Sequence, residues 1–337
     1  MNTYSPTVAL IVFFGIILIL FFIFNPKKGL FFKYLKARKE NEKTAIEDVL
    51  KLLYHDSNIS KDTIFNELDF SEGLLLESIE TMMETGLIKN ENELFYLTKD
   101  GHEYALRIIR AHRLWEKYLS EKTGFHKEEW HKRAELKEHE LSSDEVEDLS
   151  TLLGNPRYDP HGDPIPTKTG KIHEKKGILL SDLPVFNFGK IIHIEDEPIA
   201  VYKQILKKNI HLDSQVYVKE TSKNSLVFES EGEQFTLTPS VAKNITVISL
   251  DKVDVIEKDM MRLSNLWSNQ KATIIGISKE CRGENRRRLL DLGFVKGATV
   301  SIDLLNPLGD PKAFLIKGTA IALRKDQAVK ILITKTE

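Results

Sequence analysis

Residues 112–142 read HRLWEKYLSEKTGFHKEEWHKRAELKEHELS, and residues 152–166 read LLGNPRYDPHGDPIP. The first stretch carries two helical faces crowded with metal-capable side chains: His112 and Glu116, four residues apart, and His131, Glu135, Glu138 and His139 at offsets 0, 4, 7 and 8. An α-helix repeats about every 3.6 residues, so these offsets place four ligand-type groups on one stripe. If two such helices pack together, the six side chains converge on one or two cations. On spacing alone the alternative is a solvated helix whose acids pair with Lys132, Arg133 and Lys137.

Outside this stretch the chain gives a frame. A length of 337 residues exceeds one ordinary domain and predicts two to four compact units. The net charge of −2 provides no global pull toward nucleic acid. Cys281 is the single cysteine, which excludes an intrachain disulfide and agrees with a reducing compartment. Near the amino end, Val8 to Phe24 reads VALIVFFGIILILFFIF without a charge. At about 1.5 Å per residue, with its flanks, such a run is just long enough to cross a hydrocarbon core. It lacks the preceding basic region and the following small-residue cleavage site of a secretory signal. Lys27, Lys28, Lys33, Lys36, Arg38 and Lys39 all follow it, which orients what comes after Asn25 toward the cytoplasm. The expectation is a single transmembrane helix at residues 7–25, a basic juxtamembrane linker at 26–43, and a single-pass protein of the cytoplasmic membrane with its C-terminal domains in the cytoplasm.

Residues 44–105 read as three helices and a two-stranded wing. Ile46, Val49, Leu50, Leu53 and Tyr54 keep helical spacing; Ser60 is placed to cap a second helix through Leu68, and Ser71 a third through Thr85. Gly86 stops the third helix. Leu87-Ile88 and Leu94–Leu97 form a hairpin around a polar turn at Asn90–Asn92.

The HRLWE start, the H-x3-E-x2-EH helix and the NP-x-x-DPHG-x-PIP segment, in this order and spacing, resemble the metal-binding and dimerisation domain of the DtxR/MntR family of iron- and manganese-dependent repressors. The winged-helix pattern before it resembles the same family. The resemblance implies a divalent transition metal, Mn(II) or Fe(II), as cofactor. It assigns Glu135, Glu138 and His139 to a primary site, with Asp48 contributed by the first helix, and His112, Glu116 and His131 to a neighbouring site. Related repressors also bring a barrel carboxylate to that second site, which makes Glu195 a candidate. Lys51 stands where manganese-type members can carry a further acidic ligand, and Glu135 replaces the cysteine of iron-type relatives. Oxygen and imidazole donors suit Mn(II) or Fe(II), while Zn(II) would bind at least as tightly by intrinsic affinity. The family likeness further implies a homodimer built on residues 106–153, with Leu114, Tyr118 and Leu119 at its apolar face, and a DNA operator as partner.

The recognition helix conflicts with that last expectation. Between Lys61 and Lys89 stand Asp62, Glu67, Asp69, Glu72, Glu77, Glu80 and Glu84, with no further lysine or arginine. Each acid opposes the phosphate backbone, which supplies much of DNA affinity. The candidate DNA contacts are Ser60, Lys61, Ser71, Ser78 and Lys89.

After a linker at residues 154–177, residues 178–250 alternate apolar and polar residues in short runs such as QVYVKE and SLVFES, as a small β-barrel would. Residues 262–335 repeat the plan and resemble the FeoA domain, an SH3-like barrel associated with ferrous iron uptake; the preceding unit resembles an SH3-like domain. Their openings, LSDL from Leu180 and LSNL from Leu263, suggest an internal repeat. Arg286, Arg287 and Arg288 mark a basic helix, either solvated or partner-facing.

The fold class expected is therefore multidomain α+β: a transmembrane helix, a winged helix-turn-helix, a helical metal-binding and dimerisation domain, and two SH3-like barrels. Two functions compete: a membrane-tethered, metal-dependent transcriptional regulator of metal-ion homeostasis, and a membrane-anchored metal sensor that has lost DNA binding and serves a ferrous or manganese transporter through its barrels. An enzyme is the weakest option, since no nucleophile with its base, Gly-rich phosphate loop or acid/base pair is evident.

Overall fold

A computed structural model describes residues 30–173, 176–251, 260–268, 270–278 and 280–335, with Leu10 and Phe13. The fold is mixed α+β. It divides into two compact units: one holds the described residues up to Ile109 with Glu138–Leu141, the other Arg110–Lys137 with the described residues from Ser142 onward.

In the first unit, α1 (Leu30–His55), β1 (Ile59–Ser60), α2 (Lys61–Glu67) and α3 (Glu72–Glu84) precede the hairpin of β2 (Ile88–Glu91) and β3 (Leu94–Leu97), and the sheet runs β1-β3-β2. Ser60 and Ser71 cap α2 and α3, accepting from the N–H groups of Thr63 at 3.2 Å and Leu74 at 3.4 Å. The chain leaves α3 through Gly86, whose φ of +71° lies in the left-handed region. Asn92 and Glu93, both at positive φ, form the two-residue turn between the paired Glu91 and Leu94. Asn90 and Glu91 therefore belong to the strand, not to the turn. Leu50, Leu53, Ile64, Leu75, Ile79, Met82 and Phe95 fill the core between helices and sheet.

The localisation expected from the sequence is corrected. No helix among the described residues is long and apolar enough to cross a membrane. The apolar run at residues 7–25 lies outside the described residues except for Leu10 and Phe13. The segment expected as a linker is helical from Leu30. The membrane anchor and the transporter partner that accompanied it are not carried forward.

In the second unit lie the C-terminal half of α4 (Lys99–Lys122), nearly all of α5 (Lys127–Glu138) and α6 (Ser143–Leu152), followed by two sheets. Ser142 and Glu145 form a reciprocal capping box at the start of α6. The first sheet comprises β4 (Ile178–Leu179), β5 (Phe188–Ile194), β6 (Gln215–Thr221), β7 (Leu226–Ser230), β8 (Glu233–Leu237) and β9 (Ile245–Leu250), with α7 (Ile199–Leu206) after β5 and the single turn α8 (Pro239–Ala242) before β9. The second comprises β10 (Met260–Arg262), β11 (Lys271–Ile277), β12 (Thr299–Leu305), β13 (Lys312–Ile316), β14 (Thr319–Leu323) and β15 (Ile331–Lys335), with α9 (Gly283–Asp291) after β11 and α10 (Lys325–Ala328) before β15. The strand orders, β4-β9-β5-β6-β7-β8 and β10-β15-β11-β12-β13-β14, are the same order written twice. Register shifts fall at equivalent places too, in β5 and β11 and in β6 and β12. The two LSxL openings form matching 3-10 turns, with Leu180 and Leu263 fully buried at the base of each core.

A buried polar network joins the two sheets. Glu231 Oε2 forms an ion pair with Arg262 Nη2 at 2.8 Å, and its Oε1 lies 2.8 Å from His211 Nε2, which also meets Ser278 Oγ at 2.9 Å. Arg262 is 1% exposed and also donates to Val329 O. Gly232 is required beside it, because a Cβ there would stand 2.3 Å from Met260 O at a φ of +75°. Arg286, one of the three arginines of α9, donates to Ile277 O and Ser278 O and so ties α9 to β11, whereas Arg287 and Arg288 are exposed.

Candidate metal centres

The first centre lies in the first unit. Asp48 on α1, Glu138 at the end of α5 and His139 just beyond it offer ligand atoms that all lie within 4.8 Å of one another. His139 Nε2 faces Asp48 Oδ1 at 3.3 Å and Glu138 Oε1 at 3.6 Å. Its other nitrogen, Nδ1, sits 2.7 Å from Glu47 Oε2. Glu47 is itself fixed by the Tyr104 hydroxyl at 2.8 Å. A carboxylate on the far nitrogen sets the imidazole's orientation, as in metal sites generally. Burial alone would lower the His139 pKa, but the hydrogen bonds to Asp48 and Glu47 and the charge of Glu138 push it up to about 9.

The second centre is built in the second unit around Glu116, which is 2% exposed. His112 Nε2 stands 3.3 Å from Glu116 Oε1, one helical turn away on α4. His131 Nδ1, from α5, stands 3.5 Å from the same oxygen. From the other side come His161 Nε2 at 3.9 Å and Asp196, whose Oδ2 is 3.3 Å from His131 Nδ1 and 3.6 Å from His161 Nε2. Two groups of donors, His112–Glu116–His131 and Glu116–His161–Asp196, thus share one carboxylate. Burial opposes charge on Glu116, yet the imidazoles of His112, His131 and His161 gathered around it hold its pKa well below the usual carboxylate range. His131 is shifted the opposite way: burial lowers it, but Asp196, Glu116, Glu135 and Glu197 together raise it far above an ordinary histidine.

The donor chemistry fits a divalent cation. Glu116 Oε1 and His161 Nε2 are buried and have no hydrogen-bond partner among the described residues, a costly condition that a coordinated ion removes. Carboxylate and imidazole donors are those that Mn(II), Fe(II) and Zn(II) accept.

The DPHG turn positions His161. Asp159 Oδ1 accepts from the backbone N–H groups of His161, Gly162 and Asp163 at 2.8, 2.8 and 2.9 Å, and His161 O accepts from Ile194 N at 2.9 Å. Gly162 is obligatory: its φ is +100°, and a Cβ would come within 2.1 Å of Ile192 O. Gly162→Ala is therefore expected to displace His161 and weaken binding at this centre, measurable as a lower Mn(II) affinity in calorimetry. Unchanged affinity would show that His161 does not contribute.

Several residues singled out in the sequence sit elsewhere than expected. Glu135, grouped by resemblance with Asp48, Glu138 and His139, has its carboxylate 3.4 Å from His131 Nε2. Glu195 is not among the grouped donors, whereas its neighbour Asp196 is, with Glu197 Oε1 also 3.4 Å from His131 Nε2. Glu195 N–H donates to Asn244 O as β5 ends, and the carboxylates of the next two residues, Asp196 and Glu197, both face His131 on α5. Glu47, His161 and Asp196 were missed. The histidine in DPHG was the one legible signal, since a metal-capable residue stood in a stretch read only as a linker. Ser78 is fully buried and cannot meet a ligand surface, because it lies on the core face of α3 with Leu75, Ile79 and Met82. Ser60 and Ser71 are helix caps, Lys61 lies over the Phe65 ring, and Lys89 pairs with Glu91 at 2.6 Å. Leu114 and Leu119 are core residues within one chain, leaving half-buried Tyr118 of the proposed dimer face.

A three-helix, winged unit followed by helices bearing paired carboxylate and imidazole clusters defines a class of metal-responsive winged-helix proteins. Residues 98–167 match the family model described as iron dependent repressor, metal binding and dimerisation domain, and residues 261–335 match the FeoA domain. A probable metal transport system membrane protein of Chlamydia pneumoniae is 33% identical over 168 residues, 47% of this chain and 38% of that protein. The iron-dependent repressor IdeR of Mycobacterium bovis is 34% identical over 104 residues, 31% of this chain and 45% of that protein. This chain spans less than half the length of these curated relatives. A solved manganese-dependent transcriptional repressor, in complex with manganese, superposes with a TM-score of 0.55 at 27% identity, covering 60% of this chain and 99% of that one. Over the metal-binding and dimerisation segment and in its fold, the chain is similar to the DtxR/MntR-type metal-dependent repressors.

Proposed function

We propose that this protein is a divalent-metal-responsive, DNA-binding regulator that acts as a homodimer, with Mn(II) or Fe(II) as the bound ion. The observation that carries the reading is the second centre, where buried donors from α4 and the DPHG turn and half-buried ones from α5 and the end of β5 converge on Glu116. A cation there would fasten four separate segments, so that occupancy is coupled to the arrangement of the unit. His112, Glu116, His131, His161 and Asp196 would hold it, and Asp48, Glu138 and His139 form the other centre. The metal supplies a fixed positive charge; the chain's own carboxylates and imidazoles supply its orientation. The repressor domain match supports the same reading.

Dimerisation in this reading uses apolar surface left exposed on the helices, Leu136 at 68% and Leu152 at 62% exposed, with Tyr118. A two-fold dimer is the commonest closed arrangement. Light scattering of the full chain with Mn(II) present is expected to give twice the chain mass, and a monomer would exclude it.

The exposed face of α3 favours a second reading, a metal sensor without DNA binding. Glu72, Glu77, Glu80 and Glu84 are all exposed there, together with Leu76 and Met83. Specific DNA affinities of about 10⁻⁸ M or better rest heavily on phosphate contacts. Metal-loaded protein is therefore expected to bind a promoter palindrome more weakly than that. Glu72→Gln with Glu77→Gln should tighten binding, most visibly at low salt. If neither protein retards any DNA from the gene's own neighbourhood at low salt with metal saturating, the sensor reading replaces the regulator.

A further inference from the structure

Glu138 has a partner that a metal ligand would not be expected to have. Its side chain is 0% exposed, and Lys51 Nζ lies 2.6 Å from its Oε1. Lys51 is on α1, three residues beyond Asp48, so one helical turn brings both an acid and an ammonium to the same centre. The neighbouring carboxylate, Glu47, is likewise met by Lys43 Nζ at 3.6 Å, and Lys43 donates to His139 O at 2.6 Å. The second centre has no such arrangement: no lysine or arginine is placed by an ion pair on Glu116 or Asp196 among the described residues, and Glu116 Oε1 lacks a hydrogen bond.

A buried carboxylate needs a counter-charge, and either a metal or an ammonium can provide it. From this we infer that Lys51 is the resident cation of the first centre: its ammonium occupies Glu138, competes with divalent metal there, and leaves the second centre as the metal-responsive one. The inference rests on the metal-binding reading above and assigns its regulation. Lys51 holds α1 to the end of α5 whether or not metal is present, so the contact between them becomes constitutive. A metal entering at Asp48, Glu138 and His139 must first displace a charge-assisted hydrogen bond of 2.6 Å.

The test counts tight Mn(II) ions by electron paramagnetic resonance on the full chain at neutral pH. Wild type and Lys51→Arg, which keeps the cation, are expected to bind one per chain; Lys51→Met is expected to bind two. Affinity at the first centre should rise about tenfold to a hundredfold once Glu138 is released. A further substitution, Glu138→Gln in the Lys51→Met background, should return the count to one. Thermal unfolding gives a second readout, because the apo Lys51→Met protein has lost the ammonium that meets the buried Glu138 carboxylate at 2.6 Å. Its midpoint should fall below wild type and be restored by Mn(II), more than Mn(II) raises the wild type. Two tight ions in both wild type and Lys51→Met would overturn the inference and leave the metal reading intact. No tight ion in either would overturn both.

Discussion

Replacing Glu116 with alanine is expected to abolish tight divalent-metal binding at the second centre, a loss of at least about 100-fold, since removal of even an outer hydrogen-bond partner costs 10–100-fold in metal affinity. Glu116 is the one residue common to both donor groups, with His112, His131 and His161 all directed at the same oxygen. Its carboxylate is held ionised despite burial, so it is ready to coordinate without first losing a proton. The fold should survive, because His131 keeps Asp196, Glu135 and Glu197 as counter-charges and His112 can stay neutral. Glu116→Gln separates charge from shape: it fills the same volume and should lose nearly as much affinity. Calorimetric titration with Mn(II) reads both variants. Wild-type affinity and stoichiometry in Glu116→Ala would remove the second centre from the functional account.

Arg262→Ala should be the most destabilising single change in the second unit. Arg262 and Glu231 are 1% and 4% exposed and meet at 2.8 Å. Removing one partner of a buried ion pair strands the other, at a cost of about 3–5 kcal/mol. Replacing both, as Arg262→Met with Glu231→Gln, should be much milder than the sum of the single changes. The urea midpoint followed by circular dichroism distinguishes these cases; a loss below about 1 kcal/mol in Arg262→Ala would mean that the network is not holding the sheets. The same network gives a pH dependence. His211 is buried, which lowers its pKa, but the hydrogen bond and charge of Glu231 raise it overall. A histidine raised in the folded state contributes stability that is full below its unfolded value, about 6.5, and is lost as pH rises through the folded value. Stability of this unit should therefore decline above that range in wild type, and the decline should flatten in Glu231→Gln.

How much of this was legible beforehand differs by kind of feature. Helix limits set by a single local interaction were readable: Ser60 and Ser71 cap where a hydroxyl before an apolar helix should, and Gly86 takes the positive φ that ends α3. The repeat hinted at by two LSxL openings is a shared strand order with matching bulges. Reading outward from isolated segments failed where a side chain's face depends on what packs against it. Ser78 looked like a surface hydroxyl and is core; Leu114 and Leu119 looked like a dimer face and are packed within one chain. The apolar run at the amino end promised a membrane span, yet no described helix can cross one.

The sequence by itself determined the donor inventory. Carboxylates and imidazoles at helical spacing in residues 112–139 already defined ligand chemistry, while their division into two sites, with Asp48 added from a preceding helix, came from the family resemblance. Periodicity is a local property, and a helix stripe is fixed by the chain's own geometry. Only the tertiary structure decided which donors meet. It exchanged Glu195 for Asp196, brought His161 in from a turn 30 residues beyond His131, and set Lys51 against Glu138. Those pairings depend on ångström distances between segments far apart in the chain, and a spacing pattern within one segment carries no information about the charge that another segment will place beside it.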